Sequence, residues 1–447
     1  MGSKVKIAII GAGSAVFSAG IVRDLCVNSG LSGSHVVLMD IDEGRLKVIH
    51  QLAQMLAEAI DGDLSFSTTT DRRIALQGAD FVINTAQVGG HDWTEAQRGM
   101  GERHGYYRGV PLQDFPQMAF FLEVARDMER ICPSALLIQS ANPVFEGCTF
   151  MHRETGINVL GLCHGHYGYL DVARVLGLEK EHVSAKMKGF NHWIWMTDFL
   201  YKGKDAYPLL DEWIERKAEA YWQEPQSNFM DMQMTRGAID QYKRFGLLPI
   251  GDAPRVVGWW YHTDLETKKR WFGPNGGFDS EIGWGMYLEL TQKNLEKIER
   301  AVSGQHGKVT EFFRPVQGGE QIVPIINSLV NDKEAVYQVN IPNKGQIVQG
   351  FPEDLVIECP AVVNGSGIHG ITSAPLPDKI VVGEMIPRWH KTECIVQAMR
   401  TGDPEYLMQF LLYDPRTRTI EQAEGLLNEW LGDPRNEGLA RHFGKKK

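Results

Sequence analysis

The chain has 447 residues, a formal net charge of −10 at pH 7 and a hydrophobic share of 43%. That length exceeds what one small core serves, so two substantial domains are expected, with the cleft between them as the default site. The acidic balance excludes a binder of phosphate backbones, which concentrates Lys and Arg. Lys445 to Lys447 is the one basic run and reads as a solvated tail. No stretch approaches the roughly 20 apolar residues of a membrane span. Met1 leads into an apolar segment without the build of a signal peptide, so the expectation is a cytoplasmic protein with neither membrane nor nucleic-acid partners. Cys26, Cys132, Cys148, Cys163, Cys359 and Cys394 lie scattered without framework spacing, which predicts reduced thiols.

In chain order, the apolar run from Lys4 to Ile10 predicts a strand that ends at Gly11, and Phe17 to Asn28 carries helical spacing. Val36 to Met39 predicts a second buried strand ending at Asp40, followed by a helix over Glu43 to Ile60 and a strand over Phe81 to Thr85. Ala135 to Gln139 and Val159 to Leu162 continue the pattern. Each ends in a polar cluster, Ser140-Ala141-Asn142-Pro143 and Cys163-His164-Gly165-His166. Alternating strands and helices with polar groups at the carboxyl ends of strands predict an α/β, doubly wound parallel sheet. Beyond about residue 185 the rhythm shifts to longer helices, aromatic-rich segments and the loop Phe272 to Phe278. Residues 1–188 therefore read as a nucleotide-binding domain and 189–447 as a mixed α+β domain for substrate, catalysis and oligomerisation. Helical spacing around Glu393 to Met399 and Thr419 to Trp430 could cover the sheet or meet another subunit.

Gly11-Ala12-Gly13-Ser14 lies between a strand and a helix, where backbone amides and a helix amino terminus can approach a pyrophosphate. Val16 replaces the third glycine of the usual fingerprint, which weakens the match. Asp40, closing the second strand, is placed to accept from the ribose hydroxyls, and its charge favours NAD over NADP. The fold is thus Rossmann-like, and Gly11, Gly13, Ser14, Phe17, Asp40 and Asn84 are assigned to the cofactor.

Cys163-His164-Gly165-His166 and Gly189-Phe190-Asn191-His192-Trp193 follow successive strands, and thiolate with imidazole suits zinc- or manganese-like ions. The spacing fits no zinc-finger pattern, so packing roles for the cysteine and histidines remain open from the residues alone. Asp252 could equally begin a helix, Asn142-Pro143 could be an ordinary turn, and Trp259-Trp260-Tyr261-His262 could stack on sugars or fill the core.

Taken in order, Gly11 to Ser14, Ala141-Asn142-Pro143, Cys163 to His166, Asn191-His192, Pro249-Ile250-Gly251-Asp252 and Asn340-Ile341-Pro342-Asn343-Lys344-Gly345 resemble glycoside hydrolase family 4 over nearly the whole chain. The Cys-His-Gly-His run is similar to the α-glucosidase branch. The resemblance implies an NAD- and manganese-dependent glycosidase, an exception among two-carboxylate glycosidases. It implies Cys163 and His192 as metal ligands, and a route of C3 oxidation, C2 deprotonation, elimination, water addition and re-reduction. Alignment on Pro249 assigns Asp252 as the C2 base. His164 is assigned to substrate contact or leaving-group assistance, and Asn142 and Asn191 to substrate binding. No arginine lies between Trp259 and Asp264, where phospho-sugar members place theirs, so an unphosphorylated α-glycoside is expected, an α-glucoside first. α-Galactosidase and α-glucuronidase or α-galacturonidase are the alternatives, and a homodimer or homotetramer is expected.

A dehydrogenase of the lactate and malate type shares the sheet and cofactor loop but needs a His and Arg pair and no thiolate site. A cofactor-sensing binding protein would keep Gly11, Gly13 and Asp40 and could dispense with Asp252.

Overall fold

The computed structural model describes residues 4–14, 17–109, 112–224, 233–305 and 307–444. Val16 and the Lys445 to Lys447 tail lie outside these residues. Six strands run parallel: β1 (Lys6–Ile10), β2 (His35–Met39), β3 (Ser65–Thr69), β4 (Phe81–Asn84), β5 (Leu136–Gln139) and β6 (Asn158–Gly161). Their spatial order is β3-β2-β1-β4-β5-β6, the doubly wound arrangement of the nucleotide-binding fold. β1, β2 and β4 read as near-continuous apolar runs because helices cover both sheet faces. Ile7 and Ile9 are fully buried, and removing such a side chain from water stabilises by about 1.5–3 kcal/mol. β3, Ser-Phe-Ser-Thr-Thr, is the edge strand and is half-exposed, which is why an apolar criterion overlooks it.

The sheet does not end at β6. It continues through β7 (Val183–Phe190), β8 (Trp193–Tyr201), β9 (Lys204–Asp205), β10 (Pro249–Ile250), β11 (Ala335–Pro342), β12 (Val356–Asn364) and β13 (Gly367–Gly370), in the order β6-β11-β12-β7-β8-β10 with antiparallel pairing. β9 and β13 hang off this path on β8 and β12. Residue 188 falls inside β7, so the expected boundary there crosses a strand of a continuous sheet rather than a linker.

Register aligns the strand ends in one transverse row. Met39 pairs with Ile10, Ile10 with Asn84, Asn84 with Gln139 and Gln139 with Gly161. The row passes through Asn340, Glu358, Gly189 and Ile194 to Ile250. Asp40, Gly11, Cys163, His192 and Gly251 follow closely on members of this row, so their loops leave the sheet along one edge. The carboxyl-terminal helices Ile386–Thr401, Glu405–Leu412 and Ile420–Gly432 pack their apolar faces on the chain's own Phe115, Met118 and Phe150.

Candidate active site

At the nucleotide end, Gly11 has φ +84°, and a Cβ there would stand 2.6 Å from the Ala86 backbone, so glycine is required by close approach as well as by conformation. Gly13 N–H donates to Asp40 Oδ2 at 2.7 Å, and Asp42 N–H donates to Asp40 Oδ1 at 2.9 Å. The Asp40 carboxylate therefore fixes the glycine turn while standing half-exposed at the end of β2. Ser14 Oγ accepts from Phe17 N–H at 3.3 Å, and the Phe17 ring lines the adjoining cleft. Asn84, assigned from sequence to cofactor contact, is placed elsewhere: it is fully buried, donates to Gln139 Oε1 at 2.9 Å and accepts from Ala86 N–H at 3.2 Å. Its side chain braces the strand ends from inside.

At the other end, Cys163 follows β6, Asp252 follows β10, and His192 sits in the tight turn between β7 and β8 with φ +63°. Gly189, at φ +153°, makes that turn feasible, since a Cβ would lie 2.0 Å from the Trp193 carbonyl oxygen. One donor atom from each of Cys163, His192 and Asp252 lies within 4.8 Å of the others. A sulfur, a nitrogen and an oxygen so close suit one divalent transition ion with ligand bonds of about 2.0–2.3 Å. The Cys163 and Asp252 loops are held together glycine on glycine. Gly251 has φ +67°, and a Cβ on it would meet the Gly165 backbone at 2.7 Å.

Charge is dense here. His192 Nε2 contacts Asp252 Oδ2 at 2.9 Å, and Arg255 Nε donates to Asp252 Oδ1 at 2.9 Å while another arm reaches Asp279 Oδ2. Burial opposes ionisation of Asp252, but Arg255 and His192 outweigh it and hold the carboxyl well below the usual range. Burial likewise lowers His192, and Asp252 and Cys163 together reverse this to about 10. A metal ion would take the place of that proton. His164 is exposed to the cleft with Nδ1 3.4 Å from Glu320, whose hydrogen bond raises the imidazole to about 9. His166 is buried, bonds Cys163 O at 3.1 Å through Nδ1 and is pushed down to about 4 by burial, so it supports the loop.

The cluster opens into a cleft of about 390 Å³ lined by Phe17, Asn142, Cys163, His164, His192 and Asp252 among others, which reaches toward the nucleotide end at Phe17 and Thr85. Asn191 is not on its surface: it is buried and donates to Glu358 Oε2 at 3.0 Å, bracing the turn that carries His192. Trp259 and Trp260 are also off the lining, Trp260 being 62% exposed on the outside.

Residues 6–178 match the family 4 glycosyl hydrolases, and residues 187–417 match the carboxyl-terminal domain of the same family. The chain belongs to glycosyl hydrolase family 4. Among its family 4 relatives, an α-galactosidase of Bacillus subtilis (strain 168) is 30% identical over 92% of this chain and 93% of its own length. An α-galacturonidase of Lachnoclostridium phytofermentans is 26% identical over 96% of both chains. An α-glucosidase of Erwinia rhapontici is 28% identical over 92% of this chain and 93% of its own. In fold, the chain is similar to a 6-phospho-α-glucosidase from gut microorganisms, solved with NAD and Mn2+, with a TM-score of 0.80 at 16% identity over all of both chains. A lactate dehydrogenase from Eimeria maxima has a TM-score of 0.53 at 14% identity, covering 90% of this chain and 97% of that one, in keeping with the dehydrogenase-like sheet.

Family 4 membership makes the protein a glycoside hydrolase and sets aside the dehydrogenase and sensor readings. Three charged residues of this family 4 site escape sequence reading. Arg255 stands three residues after Asp252, and that helical spacing was its one available signal. Glu320 and Asp279 reach the site from distant loops and gave none. No helix of the described residues is long and apolar enough to cross a membrane.

Proposed function

We propose that the protein hydrolyses unphosphorylated, uncharged α-glycosides, α-glucosides first, with NAD and a divalent ion such as manganese. The observation that carries this reading is the Cys163, His192 and Asp252 cluster in a cleft that extends to Phe17 and Thr85, the latter hydrogen-bonded to Gly11 O of the glycine turn. The specificity rests on charge. Among the described residues lining the cleft, Arg255 is the one Lys or Arg, and its arms are engaged by Asp252 and Asp279. Asp252 and Glu320 face the same space, so a sugar phosphate or uronate would meet carboxylates without a free guanidinium. The α-galacturonidase relatives are therefore a poorer guide to substrate than the α-glucosidase, with α-galactosides the second reading.

Cys163 and His192 would hold the metal, and Gly11, Gly13 and Asp40 the dinucleotide. Bound together, the two cofactors supply a hydride acceptor at C3 and a Lewis acid for the neighbouring oxygens. Asn142 orients the sugar at the strand ends. Asp252, kept ionised by Arg255, accepts the C2 proton, and His164, kept protonated by Glu320, faces the leaving group as acid. Tight loop packing around Gly165 and Gly251 holds base and ligands in register.

The test is a panel of 4-nitrophenyl α-glycosides assayed with NAD, manganese and a reductant. Turnover of the glucoside that chelation abolishes and manganese restores is expected. Preference for a 6-phosphate or uronate, or full activity after chelation, would overturn the reading.

A further inference from the structure

One wall of the cleft is unlike the rest. His91, Phe278, Trp284 and Tyr287 line it and pack on one another: Trp284 and Tyr287 stack at 5.2 Å between centroids, and Phe278 meets Tyr287 edge-on at 5.0 Å. His91 closes the group, edge-on to Trp284 at 5.7 Å and to Tyr287 at 5.5 Å. Burial keeps His91 below its ordinary pKa, which favours the neutral ring, while the Arg98 guanidinium lies 4.6 Å over the Trp284 ring.

These rings do not fill the protein core. Trp284 and Tyr287 stand on the helix Glu281–Val302, whose buried residues are Gly283, Ile298 and Ala301 alone. Both rings are half-buried and turn their remaining surface to the cleft. Nor is the wall remote from the chemistry. The Arg255 guanidinium lies 4.8 Å over the Phe278 ring while its Nε holds Asp252, so the apolar surface begins one side chain away from the carboxylate. An apolar surface kept wet beside a polar reaction centre is unfavourable unless a ligand covers it.

Resting on the glycosidase reading above, we propose that this wall is the leaving-group subsite and that it selects aglycones presenting an apolar ring face, an aryl group or a second pyranose. The sugar undergoing cleavage is held at Cys163, His192 and Asp252, and its C1 substituent must extend past Asp252. Ring edges and faces there offer van der Waals contact and ring stacking, which a methyl aglycone is too small to use.

Binding of methyl and phenyl 1-thio-α-glucosides and 1-thio-α-galactosides to enzyme loaded with NAD and manganese, by isothermal titration, decides the matter. The phenyl compound is expected to bind about tenfold tighter than its methyl counterpart, with each ring worth roughly 2- to 10-fold. Trp284→Ala and Tyr287→Ala should each lower that phenyl-to-methyl ratio, with NAD affinity retained, and Phe278→Leu checks the same ratio at nearly constant volume. A ratio near one in the unaltered enzyme, a ratio untouched by all three substitutions, or a parallel loss of NAD affinity overturns the proposal. If neither the glucosides nor the galactosides bind while NAD and manganese do, the proposed preference for uncharged α-glycosides fails and this subsite with it.

Discussion

Substitution of Gly251 by alanine tests whether the meeting of two glycines sets the geometry of the site. The residue has φ +67°, so an alanine pays about 1–2 kcal/mol for the left-handed backbone. The larger effect is steric. Its Cβ would stand 2.7 Å from Gly165 O and 2.8 Å from Gly165 Cα, about 0.7 Å inside the 3.4 Å at which ordinary contact begins. Both partners are backbone, so the Cys163 loop and the Asp252 loop must part by a comparable amount. Site groups tolerate displacements of about 0.5 Å, and a 1 Å error can cost about 100-fold in rate. We expect Gly251→Ala to lower kcat/KM by about 10- to 100-fold and to weaken manganese binding measured by titration. Gly203→Ala supplies the control, since Gly203 has φ +76° with nothing within 4 Å of its Cβ position and carries the conformational cost without the clash. Unchanged manganese affinity and turnover in Gly251→Ala, or equal losses in the control, would refute the reasoning.

Four further outcomes are expected. Asp252→Asn should retain fold and NAD binding yet stop exchange of solvent deuterium into C2, followed by NMR; continued exchange would remove Asp252 as the base. Arg255→Met should raise the folded pKa of Asp252 toward the ordinary value near about 3.9. Because a depressed carboxyl loses its stabilisation as pH falls through the folded pKa, the acid limb of kcat/KM should move upward; an unmoved limb contradicts the Arg255 clamp. Glu320→Gln should bring His164 down from about 9 toward its ordinary 6.5, read by NMR titration. The stabilisation from a raised histidine is complete below the unfolded pKa and is lost as pH rises through the folded one, so the variant should lack it below 6.5 and the two proteins should converge in stability above about 9; an identical titration would exclude the pair. NAD should bind more tightly than NADP, whose 2′-phosphate would meet Asp40; equal affinities would mean that this carboxylate is not at the ribose.

Much of this was legible in the linear sequence because it is local. Apolar runs ending at Gly11, Asp40, Ser140 and Leu162 mark buried strands and their carboxyl ends, since a strand covered on both faces has no use for polar residues until it emerges. Glycines at Gly11 and Gly13 and the ordered motifs from Ala141 to Asp252 reveal the cofactor turn and the ligand residues by type. What local pattern could not supply was the company each residue keeps. β3 escaped because an edge strand need not be apolar, and Asn84 and Asn191 were assigned to ligands because nothing in their neighbours along the chain shows that Gln139 and Glu358 occupy their side chains. The sheet crosses residue 188 without a break because β12 and β11 return from more than a hundred residues later to bridge β7 to β6. Arg255, Glu320 and the aromatic wall likewise acquire meaning through contacts between loops far apart in sequence. Residue type and spacing thus determined which chemistry the chain carries, while register along the common row of strand ends decided which groups meet, because hydrogen-bonded pairing between distant strands sets positions that no local preference encodes.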